Sequence, residues 1–304
     1  IKEYAELGFF ALLVPEEYEG AGAPYTTYCK VLEHLTGHCA GFALVLGVHN
    51  SLGLKPLLLG ANEEQRQRWF PKYATSEYIG AFALTEPSAG SDVAALKSTA
   101  ELNAEGTHYI LNGEKIWISN GAIANLFVYF TRVLKKLEDG STRFDHAAFV
   151  LERGMEGLST GQPEKKMGIK GSTTTTVSCV NVKVPKENML GSEGDGFKFA
   201  MQTLNTGRLS LSAACVGPMK KMIKNAREFA EQRVAFDAPI INHGLVAKMI
   251  AEMEVDTFVS ESMAYLTSGN LDRGQTEIEM EGAASKVFCS EALWRTANKA
   301  LQVA

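Results

Sequence analysis

This sequence lacks any excess of positive charge. Thirty Lys and Arg stand against 35 Asp and Glu, giving a net charge of −5 and a pI near 5.8. That disfavours a nucleic-acid binder, which needs a basic face. No apolar run reaches the roughly 18 residues of a membrane-spanning helix, so no membrane span is expected. No signal or transit peptide is visible. Cysteine is scarce: Cys29, Cys39, Cys179, Cys215 and Cys289 are odd in number and share no C-x-x-C spacing. They read as reduced, mostly buried thiols of an intracellular protein. His34 and His38 stand i, i+4 on one helix face, but no acidic partner of the H-E-x-x-H kind accompanies them, and no metal is expected. Gly20-Ala-Gly22 lacks the third glycine of a dinucleotide fingerprint, follows no β-α-β pattern and runs into Pro24. The chain opens on Ile1 rather than Met, so its true start is expected elsewhere.

What the chain does have is enough apolar residue for a large core: 45% hydrophobic and 21% charged over 304 residues, room for two or three domains. The period of the pattern changes twice. Residues 1–76 read as helices, with Tyr28, Val31, Leu32 and Leu35 along one face of a helix from Tyr25 to Thr36. Gly41 to Leu59 is apolar and rich in small residues, which suits close helix packing. Asn62 is placed to cap a helix from Glu63 to Phe70.

Residues 77–190 carry β-branched and aromatic runs at Leu126–Arg132, His146–Leu151 and Thr173–Val180, with a charged loop expected from Lys135 to Arg143. Short strands at turn-rich spacing argue a β-barrel or sandwich rather than a parallel sheet. Residues 191–304 return to helical spacing. One helix is predicted from Phe197 to Ala214, a kink or boundary at Pro218, and a further helix from Met222 to Val234. Val246, Met249, Ile250 and Met253 mark the next helix, and a last one runs from Thr276. The fold class is therefore α+β: a helical domain, a middle β domain and a helical bundle.

Two stretches stand out. Phe82-Ala-Leu-Thr-Glu-Pro-Ser-Ala-Gly-Ser-Asp92 is an apolar strand stopped at Pro87, followed by small residues with hydroxyls and backbone N–H groups. Lys115-Ile-Trp-Ile-Ser-Asn-Gly121 sets Trp117 between β-branched residues, then Ser119 ahead of an Asn-Gly turn. Strand ends, a small polar loop and an aromatic wall suit a flat heterocycle with an anionic tail. Two ordinary strands with their turns would read the same way.

These stretches resemble the flavin-binding strands of the acyl-CoA dehydrogenase family, and the likeness runs over the whole chain. Pro163-Glu-Lys-Lys-Met-Gly-Ile-Lys170, Val184-Pro-Lys-Glu-Asn-Met-Leu-Gly191 and Gly194-Asp-Gly-Phe-Lys-Phe-Ala-Met201 fall in the family's order. The nearest likeness is to its very-long-chain branch and the complex I assembly relative of that branch.

The resemblance implies FAD, held by Phe82, Ala83, Leu84, Thr85, Glu86, Pro87, Ser88, Ala89, Gly90 and Ser91 and by Trp117, Ile118 and Ser119. It places Arg233 and Phe236 at the flavin of a neighbouring subunit, although the family continues with Gly where this chain has Asp237. Gln302 would touch the flavin tail. Ser91, Asn205, Thr206, Gly207 and Arg208 would bind the acyl-CoA substrate, and Gly41 to Leu59 would lie near the bottom of the acyl pocket. The implied reaction is α,β-dehydrogenation of a long-chain acyl-CoA to the trans-2-enoyl-CoA in fatty-acid β-oxidation. Electrons would pass to an electron-transfer flavoprotein. A homodimer or homotetramer is implied, in the mitochondrion of a eukaryote or the cytoplasm of a bacterium.

In most relatives a Glu-Gly-Thr segment near the C-terminus supplies the base that removes the α-proton. A minority place it where this chain has Gly207. That glutamate is expected beyond Ala304, and the 304 residues alone are expected to be inactive. An assembly or scaffold role on the same fold is the alternative, and an acyl-CoA oxidase a third reading.

Overall fold

A computed structural model describes residues 1–136 and 142–304. It divides into two compact units, Ile1–Ala23 with Val45–Leu204, and Pro24–Leu44 with Asn205–Ala304.

In the first unit a short helix α1 (Lys2–Glu6) precedes two single 3-10 turns. Helix α2 (Tyr25–Val48) belongs to the second unit as far as Leu44; the chain then returns to the first unit with a π-helical turn, His49–Gly53, α3 (Lys55–Gly60) and α4 (Glu63–Ala74). Asn62 caps α4 as the sequence indicates, in a reciprocal capping box with Gln65. The helix runs four residues past Phe70, through Pro71. Next come β1 (Gly80–Ala83), β2 (Thr99–Leu102), β3 (His108–Ser119), β4 (Leu126–Lys136), β5 (Thr142–Glu152), β6 (Leu158–Thr160), β7 (Thr174–Pro185) and β8 (Met189–Leu190).

The eight strands form one sheet in the order β6-β7-β3-β2-β4-β5-β8, with β1 parallel to β4. Alternation along β4 and β5 decides the layering. Phe127, Tyr129, Phe149 and Leu151 join Tyr109, Leu111, Val177 and Val182 in one core, while Leu126, Val128, Ala148 and Val150 join Leu57, Trp69, Phe70 and Tyr73 in another. The Tyr109 and Phe149 rings meet at 4.9 Å although β3 and β5 are not neighbours, so the sheet curls around the first core. The second core buries its outer face under α3 and α4.

Strands β4 and β5 pair over their whole described length, which extends the expected strands into the expected charged loop. The centre of that loop, 137–141, lies outside the described residues.

Helix α5 (Gly196–Gln232) belongs to the first unit as far as Leu204 and to the second from Asn205; it is continuous where two helices were predicted, and Pro218 lies inside it. Buried Ala213, Val216, Met219, Ile223, Ala226 and Ala230 keep a helical stripe across the proline, and that packing outweighs one lost backbone bond. A two-residue hairpin follows, β9 (Val234–Ala235) and β10 (Ala238–Pro239), then α6 (Gly244–Asp272) and α7 (Glu279–Val303). Helices α6 and α7 are joined by Arg295–Asp256 at 2.9 Å and Lys299–Glu252 at 2.9 Å.

One expectation needs correcting. The helical stretch Tyr25–Gly60 does contain an 18-residue window long and apolar enough to cross a membrane. Two thirds of it (67%) is buried within the protein, so its apolar character already serves the core.

Candidate functional site

The site is built from a defect in a strand. Strand β3 pairs with β7 through Lys115↔Val177 and resumes only at Ile118↔Thr175. Between them Trp117 takes φ +57, a left-handed conformation unusual for a bulky residue. Freed from the ladder, Ile116 donates its amide to the Thr85 carbonyl at 2.9 Å. The bulge turns the Trp117 indole outward, 65% exposed. Sequence reading could not see this, because Lys-Ile-Trp-Ile-Ser scans as an uninterrupted strand.

A cavity of about 240 Å³ opens beside the indole. Of the residues singled out in the sequence, Phe82, Leu84, Thr85, Gly90, Trp117, Ile118 and Ser119 line it. Val48 and Leu52 on its walls come from the Gly41–Leu59 run that the resemblance set near the acyl pocket, whereas Val93 and Leu204 were missed by the sequence reading. Val48 and Leu52 flank the first residues of the π-helical turn within the small-residue run, a kind of irregularity that often marks functional sites. Buried His49 anchors that turn. The Gly80 amide donates to Nδ1 at 3.2 Å, leaving Nε2 to face the Phe10 carbonyl at 3.2 Å. Burial pushes the His49 imidazole down from 6.5 to about 4, so it stays neutral.

The lining is mainly apolar, with two hydroxyl-bearing residues, Thr85 and Ser119, and one indole, Trp117. It admits a fused aromatic ring and is too small for a whole dinucleotide, whose tail would have to lie outside. Those features fit a tricyclic ring.

Other predicted contacts fall elsewhere. Ala83 and Ala89 are buried in the two cores. The Glu86 and Ala89 amides bond to each other's carbonyls at 3.0 and 3.1 Å. Glu86 is 4% exposed and turned inward, because Lys115 Nζ lies 2.7 Å from its Oε1. Burial would raise its carboxyl, but the Lys115 charge and the bonds from Lys115, Ser98 and Lys97 outweigh that and hold it below its usual range. Pro87, Ser88 and Ser91 do not line the cavity.

In the second unit Asn205, Thr206, Gly207 and Arg208 share one turn of α5. Arg208 Nη1 donates to Asn205 Oδ1 at 2.8 Å, and Tyr25 donates to the Thr206 carbonyl at 2.7 Å. Arg208 makes no ion pair among the described residues, which leaves its charge available. Arg233 lies roughly 37 Å further along the axis at 1.5 Å per residue, so one chain cannot bring both arginines to one ring. Phe236 and Asp237 form the tip of the β9–β10 hairpin, both with positive φ (53° and 61°), and the phenyl ring is 92% exposed. Gln302 is exposed on the last turn of α7. A larger cavity, about 540 Å³, lies on α5 and α6, where Arg227–Glu254, Lys220–Glu261 and Lys224–Glu228 pair most of the charges that line it.

A curled β module with an aromatic-walled cleft, accompanied by long helices, defines a class of flat-ring binders. Within that class the comparisons are specific. Sequence models of the acyl-CoA dehydrogenase N-terminal, middle and C-terminal domains match residues 1–77, 81–182 and 194–304. An acyl-CoA dehydrogenase of Bacillus subtilis (strain 168) is 35% identical over 303 residues, 100% of this chain and 78% of that protein. The mouse very long-chain specific acyl-CoA dehydrogenase, mitochondrial, is 44% identical over 299 residues, 98% of this chain and 46% of its own length. The crystal structure of a Bacillus anthracis acyl-CoA dehydrogenase complexed with FAD matches with TM-score 0.88 and 38% identity, over 99% of this chain and 54% of that one. The chain belongs to the acyl-CoA dehydrogenase family. It spans about half the length (46%) of the mammalian relatives it matches.

Proposed function

We propose that this chain carries the FAD- and acyl-CoA-binding elements of a long-chain acyl-CoA dehydrogenase. The observation that carries the reading is the cleft between Thr85 and the Trp117 bulge. In this reading Thr85 and Ser119 hydrogen-bond the edge of the flavin ring, Trp117 covers it, and the loop from Gly90 to Ser91 runs beside its tail. Backbone and hydroxyl donors suit this task because they do not titrate near neutral pH. When bound, the flavin supplies a two-electron acceptor for the β-hydrogen of the thioester. Arg208, permanently charged and free of an acidic partner among the described residues, is suited to orient an anionic part of the CoA ester.

The proposal includes three domains, 1–76, 77–190 and 191–304, a homodimer or homotetramer in which Arg233 and Phe236 serve a neighbouring subunit, and an electron-transfer flavoprotein as acceptor. Its place is the mitochondrion or the bacterial cytoplasm.

The test is anaerobic addition of a long-chain acyl-CoA to the FAD-loaded chain, followed in the visible flavin bands. A saturable perturbation is expected whether or not turnover occurs, because the bound thioester alters the surroundings of the ring. An unchanged spectrum with FAD bound would remove the substrate assignment and favour the assembly or scaffold reading.

A further inference from the structure

We propose that Lys115 is a positioning residue for the flavin, tying the strand end at Leu84–Glu86 to the Trp117 bulge so that both walls of the cleft keep one spacing. The inference rests on the flavin reading above. Lys115 lies on β3 two residues before Trp117, with its side chain fully buried (0% exposed). Its Nζ donates to the Leu84 carbonyl at 3.1 Å and to Glu86 Oε1 at 2.7 Å, and lies 4.9 Å over the Tyr129 ring. Glu86 carries the tie onward, accepting from the Ser98 amide at 3.0 Å, the Ser98 hydroxyl at 2.6 Å and the Lys97 amide at 2.5 Å. Beside it the Ile116 amide holds the Thr85 carbonyl.

Neither Lys115 nor Glu86 lines the cavity, whereas Leu84, Thr85 and Trp117 do. The pair therefore acts on a ligand only through those neighbours. A buried ion pair is a weak means of adding stability, since desolvation offsets the attraction. What it adds is direction: an ammonium fixes a carbonyl and a carboxylate at set distances, which an apolar contact does not. The titratable groups facing Lys115 are Glu86 after β1, Tyr129 on β4 and Cys179 on β7. Burial pulls Lys115 down to about 8, which still leaves the pair ionised at neutral pH.

The test measures FAD affinity and the visible spectrum of bound flavin for the whole chain in four forms: parent, Lys115→Met, Ser98→Ala and Asn188→Ala. Asn188 is the control, equally buried and bonded to the Val150 carbonyl at 2.9 Å, but off the cleft. Lys115→Met should weaken FAD binding about tenfold and Ser98→Ala about threefold. Both should move the bound flavin's bands toward those of free FAD, while Asn188→Ala changes neither quantity. A merely structural loss would lower the folded fraction and leave the spectrum of bound flavin as in the parent. If Lys115→Met does not fold, Ser98→Ala decides, since it removes a single bond to Glu86. Parent-like affinity and spectrum in Ser98→Ala overturn the proposal, whatever Lys115→Met does. A parent chain that binds no FAD overturns the flavin reading and this inference with it.

Discussion

At the scale of single residues, buried polar groups shape the cleft from behind. His49 is the clearest case, since its neutral ring joins the π-helical turn to β1. Its imidazole is held near 4 in the fold and returns to 6.5 when the chain unfolds. Above pH 6.5 the ring is neutral in both states and its contribution is fully present. As pH falls from 6.5 toward 4 the unfolded chain takes up a proton that the fold refuses, and stability drops by on the order of 3 kcal/mol. Urea unfolding at pH 7 and pH 4.5 should show that loss in the parent and a smaller one in His49→Gln; equal losses would contradict it. His49 was not legible as an anchor, because the pairing of its two nitrogens depends on Phe10 and Gly80, distant in sequence. Glu86 misled in the opposite direction. The family resemblance set Glu86 among the residues holding FAD, and only the fold brings Lys115 to it and turns it inward.

At the scale of elements, periodicity reported what repeats and missed what breaks. The Asn62 cap, the strands at Leu126 and His146 and the late helices could be read, because each has a cap or a stripe that local chemistry writes into the chain. The β3 bulge at Trp117 could not, since it depends on partners on β7 and after β1. Helix α7 inverts the usual pattern. Its buried face is Gly282, Ser285, Cys289, Ala292 and Thr296, while Met280, Val287, Trp294 and Leu301 point outward. Small residues on the inner face permit close approach, as they do where α2 meets α5. There a Cβ on Gly217 would lie 1.8 Å from the Glu33 carbonyl oxygen, a backbone atom that cannot step aside cheaply. Gly217→Ala should therefore lower stability by about 2 kcal/mol despite alanine's better helix propensity. A thermal melt unchanged or raised would contradict that crossing.

At the scale of the molecule, each unit supplies a different part of the proposed chemistry. The unit with the curled sheet holds the aromatic cleft, and the helical unit holds Arg208, Arg233, Phe236 and Gln302. The domain order helices, strands, helices was readable from the change of period, and the family from its motifs. The depth of the cleft was not, because Val48, Leu52 and Leu204 reach it from segments far apart in the chain. The most direct test of the account is a titration of the purified chain with FAD, followed by flavin fluorescence, for the parent and for Trp117→Ala. The account predicts saturation at one FAD per chain in the parent and binding weaker by roughly tenfold without the indole. A parent that never saturates, or a Trp117→Ala chain that titrates identically to it, would contradict the account.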